Sequence, residues 1–185
     1  MQRISAVNPA TATGKAKQLL DGVQAKLGMT PNMMKTMAAA PSVLEGYLNL
    51  NASLAGGVLD AKFREQIALT VAQANSCEYC LSAHSAIGKR VGLTADDIRS
   101  SREAHAADAK RNAGLRFARA LVIERAHVSD QTVADVKAAG YTEGEIAEIV
   151  ANVALNIFTN YFNNTARTEV DFPKVSIELA EPVHA

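Results

Sequence analysis

The 185-residue sequence predicts an all-α, multi-helical fold in a single domain. Apolar residues recur at the three- and four-residue spacing of an amphipathic helix, and no convincing run alternates as a β-strand does. Helix-starting and helix-stopping residues divide the chain into segments of helical length. We therefore assign residues 1–185 to one domain, with a core segment at about 60–92 and an irregular tail at about 165–185.

Nine segments are predicted to be helical, each from its periodicity and its end signals. The first is closed by Gly28, the second and third start at prolines, Asp60 opens the fourth, and Gly92 ends the fifth. Either Asn75 or Ser76 is expected to cap the fifth helix. In chain order the segments read ATGKAKQLLDGVQAKLG, MTPNMMKTMAAAP, PSVLEGYLNLNASLAGG, DAKFREQIALTVAQANS, CEYCLSAHSAIGKRVG, TADDIRSSRE, DAKRNAGLRFARALVIERAHV, SDQTVADVKAAG and TEGEIAEIVANVALNIFTNYFNN. The ninth is apolar nearly all round in its middle, which is typical of a central or interface helix.

Two stretches of the chain echo each other. KRVGLTADDI (89–98) and KAAGYTEGEI (137–146) share a helix-ending glycine and a threonine-to-acid capping pattern, at an offset of 48 residues (137 − 89). The same offset aligns Cys77, Cys80 and His84 with Arg125, Val128 and Thr132. Both an internal helical repeat and a chance recurrence of helix-end and helix-start signals remain open. If the repeat is real, only the first copy carries chemistry.

Composition argues against several classes of partner. Nineteen basic residues balance nineteen acidic ones, and no basic patch interleaved with aromatics appears, so nucleic acid is not expected to bind. No run of about 18 apolar residues exists, so no membrane-spanning segment is expected. The N-terminus lacks the apolar run of a signal peptide, which favours a reducing, cytoplasmic location.

The segment SCEYCLSAHS (76–85) holds both cysteines of the chain and one of its four histidines. On a helix that starts at Cys77, residues 77, 80 and 84 fall within roughly 60° of one another and share a face. The first turn of a helix favours a thiolate, and His84 can take the proton from Cys80, which makes Cys80 the better nucleophile. Cys77 can then attack what forms on Cys80 and close a disulfide. This is the apparatus of a thiol redox enzyme, which needs no metal and no cofactor.

Three other interpretations compete. Zinc needs about four ligands, and beyond this motif the helical part of the chain offers only two distant histidines, His105 and His127. A thioredoxin-like site needs its cysteine pair after a strand, and these flanks are helical. Two buried cysteines beside a core histidine are the third interpretation, since free cysteine is often buried.

Glu65 is the candidate proton-handling partner of His84. It shares a helix flank with Ala68, Leu69 and Ala72, beside which a carboxylate can gain a raised pKa and act as a base. Periodicity alone favours a position for Glu65 at the edge of the solvated face, and packing of the two helices need not bring it to the cysteines. The residues therefore leave this open.

The stretch EQIALTVAQANSCEYCLSAHSAIGKRVGL resembles the AhpD-like alkylhydroperoxidase branch of the carboxymuconolactone decarboxylase family. The match comprises a Glu twelve residues before the first Cys, the Cys-x-x-Cys-x-x-x-His motif, and a glycine-terminated helix. It covers about thirty residues. The ending NIFTNYFNNTARTEVDFP also resembles the last helix of several peroxidase-related members.

The resemblance implies an all-α AhpD-like fold, a homo-oligomer built of trimers, and antioxidant peroxidase activity. By position it makes Cys80 the peroxide-attacking (peroxidatic) cysteine, Cys77 the resolving one, and His84 with Glu65 the proton relay. The studied hydroperoxidase has a histidine between its cysteines where this chain has Tyr79, and tyrosine is no base near neutral pH. Tyr79 is therefore a secondary candidate. The expected partners are a hydroperoxide and a dithiol reductant, such as a lipoylated protein.

Three functions are therefore considered. The first is a thiol-dependent hydroperoxide reductase that cycles through a Cys77–Cys80 disulfide. The second is a carboxymuconolactone-type decarboxylase acting on a lactone acid, for which Arg64 could hold the carboxylate. The third is a non-enzymatic helical protein whose cysteine pair serves as a redox switch.

Overall fold

A computed structural model describes residues 1–179, and these residues form helices without any β-strand. The nine helices of this described part are α1 (Gly14–Leu27), α2 (Asn32–Met37), α3 (Pro41–Ala55), α4 (Ala61–Ala74), α5 (Glu78–Arg90), α6 (Ala95–Arg102), α7 (Ala109–Ile123), α8 (Asp130–Ala138) and α9 (Glu143–Ala166). The predicted all-α fold is confirmed.

Most helix ends follow from the residues that the sequence singled out. The Asp60 carboxylate accepts a hydrogen bond from the Phe63 N–H at the start of α4, and Gly28 ends α1 with a left-handed φ of 73°. The cap of α5 was predicted wrongly: the N-cap is Cys77, and neither Asn75 nor Ser76 fills that position. The reason is local, because Ser76 adopts a left-handed φ of 50° and reverses the chain before the helix begins.

Two further boundaries differ from expectation. The long seventh helix ends at Ile123, five residues before Val128, because Arg125 and Ala126 have φ values of 52° and 63°. Helix α9 continues to Ala166, so the irregular tail begins slightly later than residue 165. The part of the predicted tail from residue 180 onward lies outside the described residues.

Helix α4 separates two hydrophobic cores. One face, with Phe63, Ile67 and Val71, packs with residues of α7, α8 and α9. The opposite flank, with Leu69 and Ala72, joins the core of α1, α2, α3 and α5. Burial of each large apolar side chain contributes about 1.5–3 kcal/mol, so α4 is held firmly from both sides. Because Glu65 lies on the flank of Leu69 and Ala72, it faces the core that contains the cysteines.

Helix α9 packs against α3, α4, α5 and α7, as expected of a central helix. It keeps Val150, Phe158 and Tyr161 exposed, so its surface is only partly covered by this chain. No helix within residues 1–179 is long and apolar enough to cross a membrane.

The two echoing stretches adopt the same local geometry. Gly92 and Gly140 have left-handed φ values of 89° and 94°, and each is followed by a complete capping box. Thr94 pairs with Asp97 at the start of α6, and Thr142 pairs with Glu145 at the start of α9. The two stretches therefore share the same helix-end and helix-start geometry, while an internal repeat of the whole fold is not confirmed.

Candidate active site

A three-residue turn between α4 and α5 places the cysteines. The Cys77 N–H donates to the Ala72 carbonyl at 2.9 Å, which closes the turn around the left-handed Ser76. Cys77 is then the N-cap of α5, and its sulfur accepts a hydrogen bond from the Cys80 N–H at 3.3 Å. Cys80 therefore sits in the first helical turn, where unpaired N–H groups and the helix dipole favour a thiolate. Both cysteines are free and buried.

The structure brings Glu65 and His84 together. His84 Nδ1 lies 2.7 Å from Glu65 Oε2, with about a fifth of each side chain exposed, 21% for His84 and 17% for Glu65. The short turn explains the contact: Glu65 lies nine residues before the end of α4, and His84 lies seven residues after Cys77. At about 1.5 Å per residue the two reach similar heights on adjacent helices. Glu65 is therefore partly buried and paired with His84, whereas periodicity alone favoured the edge of the solvated face.

The surroundings of Cys80 favour its thiolate. Burial alone would raise the pKa of the thiol, but the hydrogen bond from Cys77, the charge of His84 and the amides of Asn163 and Asn160 outweigh burial. Together they lower the pKa of Cys80 to about 7. A substantial fraction of Cys80 is therefore ionised at neutral pH.

His84 is tuned to carry the proton. Burial lowers its pKa, but the charge of Glu65, the hydrogen bond to that carboxylate and the neighbouring Cys80 raise it above its ordinary value. With Nδ1 bonded to Glu65, Nε2 is the nitrogen left for proton exchange with Cys80. His84 and Cys80 thus favour an imidazolium–thiolate pair.

Cys77 is in the opposite electrostatic state. Its hydrogen bond to Cys80, burial and the charge of the Cys80 thiolate all raise the pKa of the Cys77 thiol far above its ordinary value. Cys77 therefore stays protonated beside the thiolate, as a hydrogen-bond donor to it. The two thiols differ in ionisation although they lie three residues apart.

Asparagines of α9 complete the surroundings of Cys80, and none of them was predicted from the sequence. Asn163 Nδ2 donates to Cys80 Sγ at 3.3 Å and to Met33 Sδ at 3.2 Å. Asn160 is fully buried nearby, and its Oδ1 accepts from Asn75 Nδ2 at 3.0 Å. A signal was present in the sequence, since asparagines at 152, 156, 160 and 163 form one stripe along an otherwise apolar helix.

Tyr79 has a bridging position. Its hydroxyl accepts a hydrogen bond from the Met33 N–H at 3.2 Å, and its ring packs edge-on against Phe172 of the tail. Burial raises the pKa of Tyr79 well above its ordinary value. Tyr79 therefore joins α2, α5 and the tail around the site, and it is not suited to act as a base.

An apolar cavity of about 160 Å³ opens onto Cys80, His84 and Glu65. Met29, Met33 and Met34 contribute to its wall, while Met37 is buried in the core. The other lining residues lie mainly on α3, α4, α5 and α9 and include Tyr47, Leu54, Arg64, Ala68, Ala83, Ile87, Leu155 and Phe172. Burial, and then the charges of Glu65 and Cys80, raise the pKa of Tyr47, so its hydroxyl is a neutral donor in this cavity.

Within the described residues no three His, Cys, Asp or Glu side chains are grouped so that they could hold a metal ion. His105 and His127 both lie on the exposed surface. Neither joins the Cys77–Cys80 cluster.

Residues 41–121 match the sequence model of the carboxymuconolactone decarboxylase family. This segment contains α3 to α6, all but the last two residues of α7, and all four residues of the predicted site. An uncharacterized protein of Haemophilus influenzae is 54% identical over 46 residues, which are 24% of this chain and 41% of that protein. The alignment thus spans about two fifths of the length of that relative.

Solved structures share the whole fold. The AhpD-core, peroxidase-related protein of Ralstonia eutropha JMP134 superposes with a TM-score of 0.80 and 24% identity over 92% of each chain. A peroxidase-related protein of Silicibacter sp. TM1040 gives 0.80 and 22% over 91% of each chain. The debrominase Bmp8, in a complex with 2,3,4-tribromopyrrole, gives 0.78 and 22% over 91% of each chain. Residues 41–121 therefore match the carboxymuconolactone decarboxylase family, and the fold of the described residues is that of the AhpD-like structures.

Proposed function

We propose that this protein is a thiol-dependent hydroperoxide reductase that cycles through a Cys77–Cys80 disulfide. One observation carries the proposal: Cys80, with its lowered pKa, lies at an apolar cavity and beside the His84–Glu65 pair. A low-pKa thiolate with a proton carrier next to it is what reduction of an O–O bond requires. The peroxidase-related names of the similar structures agree with this chemistry.

In the first step the Cys80 thiolate attacks the distal oxygen of the hydroperoxide ROOH. An S–O bond forms, the O–O bond breaks, and RO⁻ leaves. The imidazolium of His84, which Glu65 stabilises, gives its proton to RO⁻ to form the alcohol ROH. Sulfur loses two electrons to the peroxide, and Cys80 becomes a sulfenic acid.

In the second step Cys77 resolves the sulfenic acid. The Cys77 thiol loses its proton to the leaving hydroxyl group, its sulfur bonds to Cys80, and water departs. The N-cap position of Cys77 keeps its sulfur close to Cys80 throughout. A dithiol, such as a lipoylated protein, then reduces the disulfide and completes the cycle. Assembly into a homo-oligomer, trimeric or a multiple of three, stays a prediction.

The cavity favours an organic hydroperoxide over hydrogen peroxide. A volume of about 160 Å³ is similar to that of a cavity that accommodates benzene, and Met, Leu, Ile and Ala side chains supply much of its wall. Hydrogen peroxide would leave most of this apolar surface uncovered. Cumene hydroperoxide, with its benzene-sized ring, is therefore a suitable first substrate.

Intact mass and free-thiol counting, before and after one equivalent of cumene hydroperoxide, test the proposal. We expect the wild type to lose two hydrogens and both thiols, and the Cys77→Ser variant to gain one oxygen on Cys80. Turnover with dihydrolipoamide then separates an enzyme from a redox switch, because a switch is oxidised once and slowly. If both thiols remain free, or are oxidised no faster than a small-molecule thiol, the proposal is contradicted.

Two parallel assays address the other chemistries. If a lactone acid loses CO₂ at a rate that is insensitive to Cys80→Ser, the decarboxylase interpretation replaces ours. Consumption of 2,3,4-tribromopyrrole with release of bromide, at a rate exceeding peroxide reduction, would instead align the chain with the debrominase.

A further inference from the structure

Two buried polar atoms beside Cys80 lack hydrogen-bond partners within the described residues. They are Nδ2 of Asn160, which is a donor, and Oδ1 of Asn163, which is an acceptor. Asn160 is 0% exposed and Asn163 is 2% exposed, so bulk water does not satisfy these atoms. Buried polar groups nearly always have a hydrogen-bond partner. One donor and one acceptor that both lack a partner beside the same reactive sulfur therefore need an explanation.

The neighbouring contacts fix which way both amides point. Asn163 Nδ2 donates to Cys80 Sγ at 3.3 Å, which leaves Oδ1 as the other end of the same amide group. Asn160 Oδ1 accepts from Asn75 Nδ2 at 3.0 Å, which leaves Nδ2 as its outer end. Asn75 is the last residue before the left-handed Ser76, so the same turn that places the cysteines also orients Asn160.

Both side chains act on the Cys80 sulfur. Asn163 lowers the pKa of the thiol through the hydrogen bond from its Nδ2, and Asn160 lowers it more weakly, because its Nδ2 makes no hydrogen bond to the sulfur. Asn160 and Asn163 are three residues apart on α9 and therefore lie on one face of that helix, above the first turn of α5. They come from a part of the chain about eighty residues away from the cysteine motif, so the motif itself does not contain them.

A thiolate uses only one kind of partner, since its sulfur accepts hydrogen bonds and donates none. A sulfenic acid adds an oxygen that accepts a hydrogen bond and an O–H that donates one. One donor and one acceptor are what the unpaired atoms of Asn160 and Asn163 supply. The site thus holds one more donor and one more acceptor than the reduced cysteine uses.

We propose that Asn160 and Asn163 form a preformed site for the sulfenic acid of Cys80. Asn160 Nδ2 donates to the sulfenic oxygen, and Asn163 Oδ1 accepts the sulfenic O–H. This inference deepens the proposed function and rests on it, because it requires oxidation of Cys80. The same contacts stabilise the S–O bond as it forms in the attack on the hydroperoxide. As in the first step above, that oxygen comes from ROOH, whose remaining part leaves as ROH.

A purely structural role for the two amides, or a role confined to the thiolate, makes a different kinetic prediction. At a pH where Cys80 is fully ionised, loss of a group that only stabilises the thiolate leaves the rate unchanged or raises it, since a thiolate of higher pKa is more nucleophilic. Loss of a group that stabilises the S–O bond lowers the rate of oxidation alone. Alkylation by iodoacetamide forms no S–O bond and serves as the reference reaction.

The experiment compares Asn160→Leu, Asn163→Leu and the matched control Asn164→Leu, whose wild-type side chain lies on the exposed surface and donates to the Asn75 carbonyl. Absorbance at 240 nm locates each thiolate plateau, and both second-order rate constants are measured on it. We expect the ratio of peroxide oxidation to alkylation to fall about 3- to 10-fold in Asn160→Leu and Asn163→Leu, and to stay unchanged in the control. Equal ratios in all four proteins overturn the inference.

A second measurement avoids substitutions in α9, in case leucine disturbs its packing. In ¹⁵N-labelled Cys77→Ser protein, one equivalent of cumene hydroperoxide should shift the side-chain amide signals of Asn160 and Asn163 and leave that of Asn164 in place. Oxidation without such a shift contradicts the inference while the proposed function stands. If the wild-type protein reacts with cumene hydroperoxide no faster than a free thiol does, both the inference and the proposed function are contradicted.

Discussion

The two helical hairpins α4–α5 and α7–α8 are each followed by a left-handed glycine and a capping box, but the turns inside them differ. Only three residues, 75–77, separate α4 from α5, whereas six residues, 124–129, separate α7 from α8. In the short turn the N-cap Cys77 is completely buried. In the long turn Ser129 caps α8, and nearly all of the turn is exposed.

This difference explains why the α4–α5 hairpin, and not the α7–α8 hairpin, holds the candidate site. The short turn keeps α4 and α5 in close register, so that Glu65 reaches His84 and the cysteines face the cavity. In the longer turn the corresponding positions are Arg125, which is exposed, and Val128, which packs against the second hydrophobic core. The same helix-end signals therefore predict the same local architecture in both hairpins. The length and burial of the turn determine in which hairpin side chains from both helices meet.

The largest effect is expected from removing the nucleophile of the first hairpin. Cys80→Ser should lower hydroperoxide turnover at least about 10³-fold, because no other free thiolate lies at the cavity. Arg125→Ser, at the position aligned with Cys77 in the second hairpin, should leave turnover unchanged. Steady-state rates with cumene hydroperoxide and dihydrolipoamide test both. Loss of activity in Arg125→Ser would show that the second hairpin also supports the chemistry.

A smaller effect is expected at the contact that only the short turn permits. Glu65→Gln keeps the shape of the side chain but removes the charge that raises the pKa of His84. We expect turnover to fall about 10²-fold, because the proton carrier is less often protonated when RO⁻ leaves. The measurement is kcat and kcat/KM for wild type and Glu65→Gln. Glu103→Gln, an exposed residue at the end of α6, is the control, and an equal loss there would assign the effect to general charge.

The pH dependence of oxidation tests the tuned thiol directly. Because the pKa of Cys80 is lowered to about 7, the rate should rise about tenfold per unit below pH 7 and level off above it. In Glu65→Gln, less imidazolium faces the thiolate, so the midpoint should move to higher pH. Stopped-flow oxidation between pH 5 and 9 measures both midpoints. An unchanged midpoint in the variant would disconnect Glu65 from the ionisation of Cys80.

The sequence predicted what is encoded locally. Helix starts such as Asp60, helix stops such as Gly28 and the grouping of Cys77, Cys80 and His84 depend on residues within a few turns of one another. The contact of Glu65 with His84 depends on the turn between two helices, where Ser76 adopts a left-handed conformation that side-chain statistics disfavour. Propensities could not specify that turn, so the family resemblance alone favoured Glu65.

The proximity of Asn160 and Asn163 to Cys80 could not be predicted from the sequence, for a different reason. They reach Cys80 only through the packing of α9 on α5, across about eighty residues of chain. Periodicity identifies the faces of a helix but not which distant helix each face contacts. Buried asparagines repeating along an apolar helix were the available sign, since such residues are costly unless they have a partner.

The smallest effects are expected where the two hairpins are alike. Thr94 Oγ1 accepts from the Asp97 N–H at 3.0 Å, and Thr142 Oγ1 accepts from the Glu145 N–H at 3.2 Å. Thr94→Ala and Thr142→Ala should each lower the free energy of unfolding by about 1 kcal/mol, and neither should alter the rate of Cys80 oxidation. Urea denaturation measures the first quantity, with Thr165→Ala, an exposed residue near the end of α9, as the control. Unequal losses in the free energy of unfolding would mean that the two capping boxes stabilise the fold to different extents. Capping geometry alone gives no reason for such a difference.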